Sequence, residues 1–240
     1  PLLSLKKAHS IQEVLEFLET LNKPLIANGK LDGLALEIIY ENGILIQAIT
    51  RGDGEVGEDV TEVVKTIRNV PKILPQHPAG IIEVRGEVIL PKEAFYKLNK
   101  KLYDEDKEMY SNPRNAVSGI LRLLDIKEAS SKPLAFFAYG VGYIEATYLK
   151  PKSLSSMLHF LVSLGFSHKR FHLYTPLSGV LVKDWVGDVV DKFTAIREEY
   201  DVEIDGIVFA YDEFEDRDSL GSTSQYPKHS IAYKFPASVG

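Results

Sequence analysis

Lys30, within Lys30-Leu31-Asp32-Gly33, carries an amine that could act as a nucleophile if its surroundings strip it of a proton. A lysine with an unperturbed pKa of about 10.4 is almost wholly protonated near neutrality, so burial or a neighbouring cation must lower that value. The apolar run Pro24-Leu25-Ile26-Ala27 and Gly29 precede it, which would project the side chain from a strand end into a cleft. Asp32 falls on the same side if the segment stays extended, and Gly33 leaves room for a ligand to approach the backbone. The tetrapeptide alone reads more readily as a surface loop.

Other groups could keep such a lysine company. Glu87 and Asp205 each lie in an apolar, strand-like run beside a glycine, Gly86-Glu87 and Asp205-Gly206. A carboxylate so placed needs a cation. The candidates are a metal or the side chains of Arg85 and Arg51. Arg114 and Arg122 are eight residues apart, on similar faces if one helix carries both, and arginine suits bidentate phosphate contact. Tyr139, inside Phe136-Phe137-Ala138-Tyr139-Gly140, reads from its neighbours as core packing. Six histidines are scattered without metal-ligand spacing.

The elements that must hold these residues follow from periodicity. Helical spacing over 10–22 begins at Ser10, an N-cap whose capping box Glu13 would complete. Strands are predicted over 34–40 and 44–50, joined through Glu41-Asn42-Gly43 as a hairpin. Helices are predicted over 58–68, 92–102, 114–124, 153–164 and 180–200, the last two packed on one side. Strands are predicted over 81–90, 134–141, 203–210 and 230–235. The pattern is α+β, with antiparallel hairpins flanked by helices.

Composition bounds the reading. Hydrophobic residues are 45% and charged residues 26% of 240, as in ordinary globular proteins. No apolar run approaches a membrane span of roughly 20 residues, and no signal peptide is evident. The absence of cysteine excludes disulfides and thiolate zinc sites, which fits the cytoplasm. A net charge of −6 argues against a simple nucleic-acid-binding module. Lys97, Lys100 and Lys101 could form a local basic patch or only a solvated helix face. The chain begins at Pro1 and reads as one piece of a longer protein.

Six ordered motifs carry a resemblance over roughly Leu3 to Ala237: Lys30-Leu31-Asp32-Gly33, Thr50-Arg51-Gly52-Asp53-Gly54, Glu83-Val84-Arg85-Gly86-Glu87, Asn112-Pro113-Arg114-Asn115-Ala116, Ile204-Asp205-Gly206-Ile207-Val208 and Ala232-Tyr233-Lys234-Phe235-Pro236. The set resembles the nucleotidyltransferase (adenylation) domain of bacterial-type NAD-dependent DNA ligases. That resemblance implies two subdomains with a nucleotide cleft between them, residues 25–240 forming the adenylation domain and 1–24 a linker and helix leading in. It implies that Lys30 takes AMP from NAD, releases nicotinamide mononucleotide and serves nick sealing in replication or repair. By the same resemblance Lys30, Asp32, Glu87, Asp205 and Lys234 are catalytic, and Glu87 and Asp205 hold Mg²⁺. Ser4, Leu5, Asn28, Gly33, Arg51, Glu87, Tyr139, Arg197 and Lys234 contact the nucleotide, Tyr139 by stacking on adenine. Arg114 and Arg122 meet nicked duplex DNA. The protein is expected to be a monomer that works with the remaining ligase domains, in cis or in trans. Taken alone, this domain is expected to bind adenylate and seal no nicks.

Three positions depart from the family pattern, two of them in one subsite. Asn28 stands where the family has glutamate, and Ala210 stands where it has lysine; both of those side chains address the adenine edge. His229 replaces a tryptophan. The readings left open are the NAD-dependent ligase, a nucleotidyltransferase using ATP or another nucleotide, and a non-catalytic nucleotide- or nick-binding domain.

Overall fold

Two four-stranded sheets, each with its own apolar core, make up the chain. The computed structural model describes residues 3–19, 22–51, 57–145, 150–167 and 178–236. Gly52-Asp53-Gly54 of the arginine-bearing motif therefore lies outside the described residues. The strands are β1 (Lys6–Ala8), β2 (Leu25–Leu31), β3 (Leu34–Glu41), β4 (Ile44–Thr50), β5 (Ile81–Ile89), β6 (Ala135–Ile144), β7 (Ile204–Tyr211) and β8 (Ser230–Lys234). The helices are α1 (Ile11–Leu18), α2 (Thr61–Val64), α3 (Lys92–Asp104), α4 (Pro113–Leu121), α5 (Ile126–Ser130), α6 (Leu154–Ser163), α7 (Val182–Ile196) and α8 (Phe214–Leu220).

One sheet runs β4-β3-β5-β6, all antiparallel; the other runs β1-β8-β7-β2, antiparallel except for the parallel β1–β8 pair. The hairpin between β3 and β4 forms as its sequence predicts. Asn42 and Gly43 both adopt positive φ, 50° and 80°, which is what a two-residue turn matched to strand twist requires. Side chains of Leu36, Ile38, Tyr40, Val84 and Phe136 fill the first core, closed by α4 and α6. Phe209, Tyr211, Trp185 and Phe193 fill the second, closed by α1 and α7. β1 and α1 thus belong to the second sheet's packing.

Several expectations change. The helix over 58–68 shortens to α2, because Asp59 Oδ1 accepts hydrogen bonds from Thr61 N (3.0 Å) and Thr61 Oγ1 (2.6 Å), starting the helix only at Thr61. α6 and α7 do not pack together on one side; α6 covers the first core and α7 the second. Ser10 caps α1 by accepting from Glu13 N at 3.2 Å, but Glu13 reaches back to His9 N at 3.0 Å rather than to Ser10 N. β1, α5 and α8 were not foreseen. The lysines of α3 form exposed pairs, Lys97–Glu93 (2.7 Å) and Lys100–Asp104 (3.2 Å), as a solvated helix face would.

Candidate functional site

β2 and β7 pair so that Lys30 lies opposite Gly206, next to a register shift between Lys30 and Leu31. Gly206 has no side chain to fill that spot, and a Cβ there would collide with the Tyr233 carbonyl oxygen. Alternation along β2 turns Asn28 and Lys30 to the cleft while Ala27, Gly29 and Leu31 stay buried. Asp205 on β7 and Lys234 on β8 flank the lysine. Lys30 Nζ lies 3.1 Å from Asp205 Oδ2, and Lys234 Nζ lies 2.5 Å from the same oxygen. Two ammonium groups therefore share one carboxylate oxygen.

The electrostatics follow from this sharing. Burial lowers the pKa of Lys30, and the Lys234 charge adds to that, against the opposing pull of Asp205. Burial would raise the Asp205 carboxyl, but the hydrogen bonds and charges of Lys234 and Lys30 outweigh it and hold it low. Glu87, on β5, is pushed up to about 7 by burial, more than Arg114 and Lys30 offset. Asp32 sits just past β2, 3.6 Å from Arg114 Nη2. These three carboxylates and three cations converge from both sheets and α4.

A cavity of about 430 Å³ opens beside them, a size typical of small-ligand sites. Asn28, Lys30, Glu87, Arg114 and Tyr139 line it, with Leu5, Ala210, Arg217 and His229. Burial, and then the charge of Glu87, raises the Tyr139 hydroxyl; the guanidinium of Arg51 works the other way. Tyr139 also borders an adjoining hollow shared with Arg51, Arg85 and Arg217. Arg85 pairs with Glu37 (3.7 Å), so the partners of Glu87 and Asp205 are lysines and Arg114 rather than Arg85 or Arg51.

Other sequence candidates stand apart from the cavity. Arg122, the C-cap of α4, pairs with Glu58 at 2.9 Å on the surface, away from Arg114. Arg197 caps α7 and lies over the Phe235 ring, 4.1 Å from its centre. Ser4 is exposed beside Leu5. The close approach that Gly33 permits is to the protein's own backbone, since a Cβ there would collide with the Val88 carbonyl oxygen. Among the lining residues that sequence reasoning missed as ligand contacts, two are titratable. Arg217 lies amid acidic neighbours, and His229 showed only as a departure from pattern. Burial and the charge of Arg217 depress His229 to about 4, so its ring is neutral.

The donor set bears on metal binding. Glu87 and Asp205 offer hard oxygen ligands, but one Asp205 oxygen is already held by two lysines. Among the described residues, no group of three or more His, Cys, Asp or Glu side chains could hold a metal. The two carboxylates by themselves could supply only part of the oxygen shell that a hard cation takes.

Comparison with known proteins adds three findings. The family described as NAD-dependent DNA ligase adenylation domain matches residues 1–238. A DNA ligase of Lawsonia intracellularis is 42% identical over 212 residues, 87% of this chain and 30% of that protein. One from Francisella philomiragia is 38% identical over 238 residues, 98% of this chain and 34% of that protein. The chain thus spans about a third of the length of these curated relatives. An archaeal ATP-dependent RNA ligase shares the fold, with a TM-score of 0.52, 15% identity and coverage of 96% of this chain and 47% of that one.

Proposed function

The chain belongs to the NAD-dependent DNA ligase adenylation domain family, and from that premise we propose that Lys30 is the amine that takes AMP from NAD. Lys30 Nζ attacks the α-phosphorus, the bond to the nicotinamide mononucleotide oxygen breaks, and a lysyl-AMP phosphoramidate forms as the amine gives up its proton. One observation carries this reading: Lys30 and Lys234 share a single oxygen of Asp205 at 3.1 and 2.5 Å beside a ligand-sized cavity. Burial, with the Lys234 charge adding to it, lowers the proton affinity of Lys30 against the pull of Asp205, and Lys234 stands ready as a second cation for charge on the transferring phosphate. Asp205 orients both amines. Tyr139 offers a ring for the base to stack on, and Arg51 and Leu5 complete the nucleotide surroundings. Glu87 and Asp205 would hold Mg²⁺, which when bound would offset phosphate charge.

The AMP would then pass to the 5′-phosphate of nicked duplex DNA, with Arg114 and Arg122 among the contacts. Nick sealing would need ligase domains beyond this one. No described helix is long and apolar enough to cross a membrane.

The test is the intact mass of the chain, joined to a nicotinamide-binding domain of a relative, after incubation with Mg²⁺ and either NAD or ATP. A mass gain of one AMP from NAD, absent in Lys30→Ala, is expected. Adduct from ATP only would transfer the chain to the ATP-using branch, and adduct from neither would leave a nucleotide- or nick-binding domain.

A further inference from the structure

In the cavity beside Lys30, two polar atoms are buried with nothing to bond among the described residues. Asn28 Oδ1 and Arg217 Nη2 have no hydrogen-bond partner among the described residues, and both residues line the cavity. Buried donors and acceptors are nearly always satisfied, so an orphaned pair beside a ligand-sized space marks where a ligand's own polar edge belongs. The guanidinium is also well fixed. Arg217 Nε donates to the Tyr211 carbonyl at 2.6 Å, and the group lies 5.5 Å from the centre of the Phe214 ring. Asp212 contributes favourable charge, but its own oxygens already accept from Ser155 N (2.9 Å) and Ser155 Oγ (2.7 Å). With alanine at 210, the strand itself puts no polar side chain here, and neutral His229 adds no charge. Arg217 is the charged donor of this group.

Resting on the nucleotide reading above, we propose that Arg217 is the base-reading residue of this pocket, paired with Asn28. Arg217 Nη2 donates to a purine ring nitrogen, and Asn28 Oδ1 accepts from the exocyclic amine beside it. Adenine presents that acceptor next to that donor. Hypoxanthine reverses both: a carbonyl replaces the amine, and the neighbouring ring nitrogen carries a proton. The pair therefore selects adenine over hypoxanthine and guanine, with the cation delivered from α8 instead of from position 210.

Calorimetric titration of the chain with AMP, IMP and GMP tests this, on wild type, Arg217→Gln, Arg217→Lys and Arg217→Gln/Ala210→Lys, with a melting curve for each. Wild type is expected to favour AMP over IMP by about tenfold or more, the value of one charge-assisted hydrogen bond. Arg217→Gln should weaken AMP by about tenfold and leave IMP nearly unchanged, so that selectivity collapses. Arg217→Lys should keep part of it, and Ala210→Lys should restore AMP binding to the glutamine variant. Unchanged AMP selectivity in Arg217→Gln would overturn the assignment. So would equal weakening of all three nucleotides with a lowered melting point, which marks a structural role, and so would a wild-type preference for IMP or GMP. If those failures come with a normal Lys30 adduct, the nucleotidyl-transfer reading stands. Absence of any AMP binding together with absence of adduct sinks both.

Discussion

The two ends of the cavity differ in how their polar groups are satisfied. At the end we assign to the phosphates, Lys30 and Lys234 pair with Asp205, and Arg114 of α4 pairs with Asp32 just past β2. At the end we assign to the base, Asn28 and Arg217 keep atoms without a partner among the described residues, and Ala210 and His229 add no charge. A charge cluster that is complete before ligand arrives is preorganised for chemistry that cannot vary. An incomplete polar edge leaves selectivity to whatever completes it. Changes at the first end should therefore strike catalysis, and changes at the second should strike discrimination.

Variants can break or sharpen that contrast. The largest effect is expected from Lys30→Ala, which should remove the AMP adduct altogether in an intact-mass assay while leaving AMP binding measurable. Asp205→Asn should come next. It unties both ammonium groups, and single-turnover adduct formation should slow by about a hundredfold or more, as loss of an electrostatic stabiliser usually does. If the adduct rate in Asp205→Asn stays near wild type, these ion pairs are not what makes this end catalytic.

Glu87→Gln gives a mixed result whose sign can be worked out. Burial holds the native carboxyl at about 7 against an ordinary 4.5. The folded state thus binds the proton more tightly than the unfolded chain does. The resulting stability is full below about 4.5 and is lost as pH rises through about 7. Glutamine cannot ionise. The variant should gain on the order of 1–3 kcal/mol over wild type at alkaline pH, little near pH 5, and lose adduct formation throughout. Paired thermal melts at the two pH values check this, and an equal shift at both would count against a buried, proton-holding Glu87.

The base end should respond more mildly, as the roughly tenfold loss expected for Arg217→Gln shows. Smallest of all for nucleotide chemistry should be Arg122→Ala. Its exposed pair with Glu58 lies away from the cavity, so adduct formation should not change. Affinity for a nicked duplex should fall, with the salt slope reduced by about one. A slowed adduct step in Arg122→Ala would join that arginine to the phosphate end.

The same contrast governs what the sequence revealed. Lys30 and Asp205 stood out as charged groups beside a glycine in or after apolar, strand-like runs, and Lys234 only through the resemblance of its motif; the structure brings the three side chains together. The Asn-Gly hairpin was legible because its turn chemistry is local. Arg217 was not. It stands on a seven-residue helix among Asp212, Glu213, Glu215, Asp216 and Asp218, a composition that reads as solvated surface. The bond from its Nε to the Tyr211 carbonyl turns it inward. The overlong helix over 58–68 failed for a related reason: Asp59 competes for the backbone through a side-chain bond that periodicity cannot register. The assignment of α6 and α7 to one side failed because helical spacing names an apolar face but not the sheet it covers.

Peptide mapping of the chain joined to a nicotinamide-binding domain, after reaction with NAD and Mg²⁺, tests whether this cavity moves AMP onto Lys30. A single AMP in acid-labile phosphoramidate linkage is expected on the peptide containing Lys30, none in Lys30→Ala, and little in Asp205→Asn. AMP on any other residue, or an unmodified chain that still binds AMP tightly, would contradict it.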